Sequence, residues 1–295
     1  MPRPYSRKKK FIRLSLIILL SWLVLAQCTF KFRTSDAAAL KDFQKKAISV
    51  SFDTDTIDGH QLHYVQTGLA TGPTIFFIHG SPGSWDAFKN YLADTGWIKK
   101  YRIISIDRPG FGYSDFGAAE KVLDQCRLLE QFIQKHNNNQ PLFLAGHSLG
   151  GPIILEMASQ LKTMVSGCIV LAGSVSPALE TKEYYRYVLD VFPLKYLVPG
   201  AFRPSNTELK YFKKEVGVMA ADLPQIQCPI LVIHGDKDKF VPVENATFIK
   251  EQNPAHVTVK IIRGASHFIP WQHEDFIKKS MNDFMDSLVH AIPKI

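Results

Sequence analysis

Gly146-His147-Ser148-Leu149-Gly150 stands between an apolar run, Pro141-Leu142-Phe143-Leu144-Ala145, and a helical pattern, Gly151-Pro152-Ile153-Ile154-Leu155-Glu156-Met157-Ala158. The five residues have the form G-x-S-x-G. That form carries meaning in the order strand, glycine-flanked serine, helix. The serine then sits on a tight turn, and only glycine leaves room for strand and helix to approach on either side of it. Such a turn lifts the hydroxyl out of the sheet and aims the N–H groups of the helix start at whatever the hydroxyl attacks. A pattern with three fixed positions also arises by chance, so its partners decide whether Ser148 is a nucleophile.

Outward from this stretch the chain alternates between strand-type and helix-type segments. Thr74–Ile78 is a continuous apolar run, as expected of a strand covered on both faces, and Arg102–Ile106, Cys168–Ala172, Pro229–Ile233 and Val257–Ile262 read as further strands. Helical spacing marks Trp85–Leu92, Val122–Ile133 and Phe276–Leu288. Ahead of them, Ile48–Phe52 and Gln61–Val65 alternate like antiparallel edge strands, with Thr54-Asp55-Thr56 read as a break and Asp58-Gly59 as turn chemistry. The repeated alternation predicts an α/β fold with a mostly parallel sheet and helices on both faces. Residues 175–224 interrupt the rhythm: they are rich in Tyr and Phe, and Pro193, Pro199 and Pro204 are expected to split them into short helices. They read as a small helical lid inserted between two strands, whose aromatics line an acyl or aryl pocket or fasten the lid to the domain.

The chain has 295 residues and a formal charge of +8. Eight of the 35 basic residues lie within residues 1–33, which hold no acid, and the remaining 27 face 27 acidic residues. The body is thus formally neutral, and the charge gives no support to a nucleic-acid function. Residues 1–33 instead resemble a targeting segment: Arg7 to Lys10 and Arg13 precede the apolar run Leu14–Ala26. Three readings follow, an uncleaved membrane anchor, a cleaved signal, or a lipoprotein leader with Cys28 lipidated; Gln27 departs from the small residue expected before such a cysteine. Residues 34–46 read as a linker or helix, and 47–290 as the domain. Cys126, Cys168 and Cys228 form no complete disulfide framework and no metal spacing, and are expected as small buried hydrophobes.

A serine hydroxyl needs a neighbouring base. Among ten histidines, His267 follows the last strand at the edge where α/β sheets place their ligands. His63, His136 and His256 fall in edge or surface contexts, and His273 at a helix start. The base needs a carboxylate, which the loop His234-Gly235-Asp236-Lys237-Asp238 supplies as Asp238 or its rival Asp236. The oxyanion needs two N–H donors. Leu149 follows the nucleophile; in Ser81-Pro82-Gly83 the proline has no N–H, which leaves Ser81.

With these four separated motifs assembled, the chain resembles the α/β-hydrolase superfamily. The matching stretches are His79-Gly80-Ser81-Pro82-Gly83, Asp107-Arg108-Pro109-Gly110-Phe111-Gly112-Tyr113-Ser114, the serine turn, and Gly235–Pro242 with His267. The resemblance favours Asp238 over Asp236, and implies that Asp107–Ser114 is a structural loop. It implies a serine hydrolase with a Ser148–His267–Asp238 triad, an oxyanion hole at the Ser81 and Leu149 N–H groups, and no cofactor or metal. The expected substrate is a small apolar acyl compound, a carboxylic ester first. Relatives that open epoxides use Asp where Ser148 stands, and proline iminopeptidases of the fold carry H-G-G-P-G and a larger lid. A C–C bond hydrolase or peptidase of the same fold stays open, as does a membrane-anchored binding protein without turnover.

Overall fold

The computed structural model describes residues 5–289; positions 1–4 of the targeting segment and position 290 of the expected domain lie outside the described residues. Eight strands form one sheet: β1 (Val50–Ile57), β2 (His60–Gly68), β3 (Thr74–Ile78), β4 (Arg102–Ile106), β5 (Leu142–His147), β6 (Gly167–Leu171), β7 (Ile230–Gly235) and β8 (Val257–Ile262). Their order is β1-β2-β4-β3-β5-β6-β7-β8. The pairs from β4 to β8 are parallel, while β1 and β2 run antiparallel at one edge.

Both faces of the strands β3 to β7 are buried, while β8 at the sheet edge is partly exposed, and alternate residues of the buried strands serve different cores. Phe76, Ile104, Leu144, Val170 and Val232 join one cluster, with the helices Val122–Lys135 and Gly150–Leu161. Ile75, Ile103, Phe143, Ile169 and Leu231 join the other, with Trp85–Leu92 and the C-terminal helix Glu274–Val289. The period-2 pleat turns each apolar run into two half-cores. Between β3 and β5 the strand order reverses direction. Loops leaving the carboxyl ends of those two strands diverge there and open a crevice; they are the loops that carry Ser81 and Ser148.

Two sequence expectations need correction. Thr54-Asp55-Thr56 is not a break: β1 runs unbroken to Ile57, and only Asp58 and Gly59, both at positive φ, turn the chain, in register Ile57↔His60. A two-residue turn of that kind matches the strand twist. Nor does Pro204 split the insertion between β6 and β7. It is the third residue of a helix running Phe202–Asp222, where no backbone N–H is needed. Ahead of it come a short helix, Tyr185–Leu189, and a 3₁₀ turn, Leu194–Leu197.

At the N-terminus a helix spans Tyr5–Cys28 and is exposed along nearly its whole length. The stretch Arg7–Cys28 is long and apolar enough to cross a membrane. Residues Asp36–Lys45 form a second helix, capped by Ser35 Oγ, which accepts from the Ala38 N–H at 3.3 Å. Cys126, Cys168 and Cys228 are buried free thiols, with the Sγ atoms of the last two 3.9 Å apart.

Candidate active site

Ser148 lies between the end of β5 and the helix Gly150–Leu161, with φ +55°. A non-glycine residue there carries backbone strain of order 1–3 kcal/mol, which persists only where the surroundings over-determine it. They do. A Cβ on Gly146 would lie 2.2 Å from the Gly150 carbonyl oxygen, and one on Gly150 2.3 Å from that of Ile78. The Ser148 N–H donates to Leu171 O at 3.0 Å, and its carbonyl accepts from Gly151 N at 2.9 Å. Gly80 approaches from β3 so closely that a Cβ on it would sit 2.9 Å from Ser148 Cβ.

His267 follows β8 and Asp238 follows β7. Their side chains meet, with His267 Nδ1 to Asp238 Oδ2 at 2.6 Å. The Asp238 carboxylate is fully buried. Its Oδ1 accepts from the N–H groups of Phe240 and Val241, each at 2.8 Å, and His234 Nε2 lies 3.4 Å from its Oδ2. Burial alone would raise this acid, but hydrogen bonds from His234, His267 and Val241 hold it well below the usual carboxylate range. It therefore stays ionised at neutral pH, fixes the His267 ring and favours a proton on Nδ1, leaving Nε2 as the basic nitrogen. The rival Asp236 turns the other way and accepts from the Gly264 N–H at 2.6 Å, bracing the loop before His267. His234, not foreseen from the sequence, also donates to Val241 O at 3.0 Å; its place four residues before Asp238 was the available signal.

His147 lies under this pair. It donates from Nε2 to the His267 carbonyl at 3.1 Å, and burial beside the His267 ring pushes it down to about 3, so it contributes packing and a hydrogen bond, not charge. Among the described residues no hydrogen bond joins Ser148 Oγ to His267, although both line the same cavity. Such bonds are often long without substrate. The N–H groups of Ser81 and Leu149 face no acceptor among the described residues. The Ser81 hydroxyl donates to Ser205 Oγ on the insertion at 2.7 Å.

The loop Asp107–Ser114 is a brace. Asp107 Oδ1 accepts from Trp85 N at 2.6 Å, and Oδ2 from Tyr113 N and His63 Nδ1 at 2.8 Å each. Arg108 is fully buried and pairs with Glu208 of the insertion helix. His63, expected near the surface, is also buried.

The cavity measures about 1310 Å³, above the range of a typical small-molecule site. Ser148, His267 and Ser81 line it, with Leu189, Val198, Phe202, Leu209 and Phe212 from the insertion and Phe32 and Arg33 from beyond the N-terminal helix. The last two were not foreseen, because sequence separation hides them. The insertion's aromatics divide: Phe212 is buried, Tyr185 and Phe202 line the cavity while partly exposed, and Tyr184, Tyr187 and Phe192 face outward. No group of three His, Cys, Asp or Glu among the described residues is disposed to hold a metal.

A family model described as alpha/beta hydrolase fold matches residues 73–196. Epoxide hydrolase 3 of Xenopus tropicalis is 23% identical over 286 residues, covering 79% of this chain and 77% of its own. Human serine hydrolase BPHL is 24% identical over 261 residues, covering 80% and 87%. Among solved structures, a bacterial membrane phospholipase A, described as a virulence factor, aligns with TM-score 0.67 at 19% identity over 97% of this chain and 100% of its own. With the sheet order and the serine turn, these matches give the chain the α/β-hydrolase fold and support a hydrolase of that fold.

Proposed function

We propose that the protein hydrolyses a carboxylic ester through Ser148, His267 and Asp238. The observation that carries this reading is the 2.6 Å contact between His267 and a buried, ionised Asp238, in the cavity whose floor holds a strained, glycine-flanked serine. Ser148 Oγ attacks the ester carbonyl while His267 Nε2 takes its proton. The oxyanion is held by the Ser81 and Leu149 N–H groups, each worth roughly 3 kcal/mol in comparable sites. His267 then protonates the departing alcohol, leaving an acyl-serine. Water, deprotonated by the same nitrogen, releases the acid and restores Ser148. No cofactor enters these steps.

The N-terminal helix is read here as a retained membrane anchor, and the apolar cavity as an acyl site. The membrane phospholipase A named above supports both readings by likeness, and the serine hydrolase supports the chemistry. Ser148→Ala tests the chemistry: turnover of short p-nitrophenyl esters and labelling by a fluorophosphonate should both vanish while the melting temperature holds. Retained turnover in the folded variant would remove Ser148 from the mechanism.

A further inference from the structure

The insertion and the N-terminal helix are built onto each other. Trp22 Nε1 donates to Leu197 O at 3.1 Å and Gln27 Nε2 to Tyr196 O at 2.9 Å. Gly200 N donates to Ala26 O at 2.7 Å and Ala201 N to Phe30 O at 2.8 Å. Gly200 has φ +47°, and a Cβ there would lie 2.2 Å from Phe30 O, so the approach is made for glycine. Phe202 closes the contact against Phe32, their rings 5.2 Å apart and edge-on.

This contact fixes a depth. Trp22 is six residues before Cys28, roughly 9 Å up the helix at 1.5 Å per residue. Phe11–Cys28 spans about 27 Å on the same rise, close to the hydrocarbon thickness of a bilayer, with Arg7–Lys10 and Arg13 towards its far end. If that stretch crosses a membrane, the turn Leu194–Leu197 does not stop at its surface.

We propose that residues 188–198 of the insertion are seated in the lipid bilayer beside the N-terminal helix, which turns the mouth of the cavity towards lipid and makes a bilayer-resident acyl ester the substrate. The segment is composed for that place. Val188, Val191, Phe192 and Leu194 are all exposed, Phe192 to 74%, apolar surface that water would leave without a partner. Irregular backbone tolerates hydrocarbon only where its polar groups are satisfied; here the carbonyls of Tyr196 and Leu197 accept from Gln27 and Trp22. Its one acid, Asp190, is paired with Lys210. Its one base, Lys195, lies over the Tyr196 ring, with a stem long enough to reach headgroup phosphates. Phe32, Tyr185 and Phe202 line the cavity and reach the surface, Phe32 and Phe202 in ring contact just past the end of the N-terminal helix. The inference rests on the proposed anchor and ester hydrolase.

The test uses the full chain in nanodiscs of phosphatidylethanolamine and phosphatidylglycerol carrying doxyl-labelled lipid. In a Cys28→Ser background, Phe192→Cys bears an environment-sensitive fluorophore, and Gln140→Cys, exposed at the opposite end of the sheet, bears the same label as control. The label at 192 should be quenched several-fold more than the label at 140; equal quenching overturns the proposal, whatever the enzyme hydrolyses. In a second arm, Val191→Asp with Phe192→Asp should lower hydrolysis of vesicle phospholipid by an order of magnitude and leave a soluble butyrate ester untouched. Unchanged vesicle turnover would also overturn it. Loss of all ester turnover in the wild type, with quenching retained, would remove the hydrolase reading and leave the bilayer contact standing.

Discussion

Replacing Glu208 with Ala should cost more stability than any single exposed contact in the chain. Arg108 presents five N–H donors, and each has an acceptor: Nε to His79 O at 3.0 Å, Nη1 to Gln125 Oε1 at 2.7 Å and Glu208 Oε2 at 2.8 Å, and Nη2 to Gly80 O and Glu208 Oε1, both at 3.0 Å. Both partners are wholly buried. The variant leaves a guanidinium in the interior with two orphaned N–H groups and no counter-charge. Breaking a buried pair from one side costs about 3–5 kcal/mol, because the surviving charge is uncompensated. At roughly 2–4 °C per kcal/mol for a chain of this class, the melting temperature should fall by about 6–20 °C. Intrinsic fluorescence of the full chain in mild detergent reads it. Arg108→Met combined with Glu208→Leu should cost less than Glu208→Ala alone, since no charge is then stranded. A fall of under about 2 °C for Glu208→Ala, or a double variant worse than the single one, would refute the account.

Asp238→Asn should leave the fold and KM near wild type and lower kcat by about 10⁴, through the wrong His267 tautomer; ester kinetics check it. Gly150→Ala forces a Cβ to 2.3 Å from the Ile78 carbonyl oxygen; a backbone clash has no rotamer to relieve it, so the loss should exceed about 3 kcal/mol and appear as failed expression. Gly217→Ala, within the insertion helix and with nothing nearer than 4.0 Å, should instead gain about 0.5–1 kcal/mol. Burial lowers the His63 pKa, but its bond to Asp107 more than offsets that and the folded value lies above 6.5. Its share of stability is therefore present below about pH 6.5 and lost as pH rises through the folded value. His63→Gln should flatten the decline of melting temperature between those limits; an unchanged slope would exclude His63 from it.

What the sequence made legible follows a physical divide. The strands β3, β4 and β8 begin and end as read; in β3 and β4 burial on both faces leaves a mostly apolar run that polar loops cut off, whereas β8, partly exposed at the sheet edge, is bounded by the polar turns on either side of it. The serine turn, His267 and Asp238 were legible because each follows a strand, and strand ends are the best-marked positions in the chain. Asp236 and Asp238 could not be separated by composition; they differ only in which way a loop turns, and that is decided by the N–H groups of Phe240 and Val241. β1 was misread at Thr54–Thr56 because an edge strand with one solvated face tolerates polar residues throughout. The burial of His63, the fully bonded Arg108 and the cavity wall at Phe32 and Arg33 all depend on pairs tens of residues apart, which no local period records.

The way the insertion is held explains why most of its fastenings at the cavity are polar. A cavity of about 1310 Å³ between it and the sheet removes the apolar contact that would otherwise bind one layer to the next, and a void returns nothing for the surface it leaves unpacked. The second half of the long helix runs clear of it: Val216, Met219 and Ala220 pack into the core of the sheet, and Phe212 both joins that core and closes the cavity's edge. The first half lies over the cavity, and only Leu209 reaches that core, in part. There the helix is tied by Glu208 to Arg108, by Ser205 to Ser81, and by Phe202 to Phe32. Two of these three ties land on or beside the loop Gly80–Ser81, whose N–H is the proposed oxyanion donor. A displacement of the insertion would therefore move a group that the proposed chemistry needs within tenths of an ångström. Glu208→Ala should accordingly lower kcat on a soluble ester in the fraction that stays folded, and Val216→Ala, which loses core packing on the same helix but no tie to that loop and no part of the cavity wall, should not.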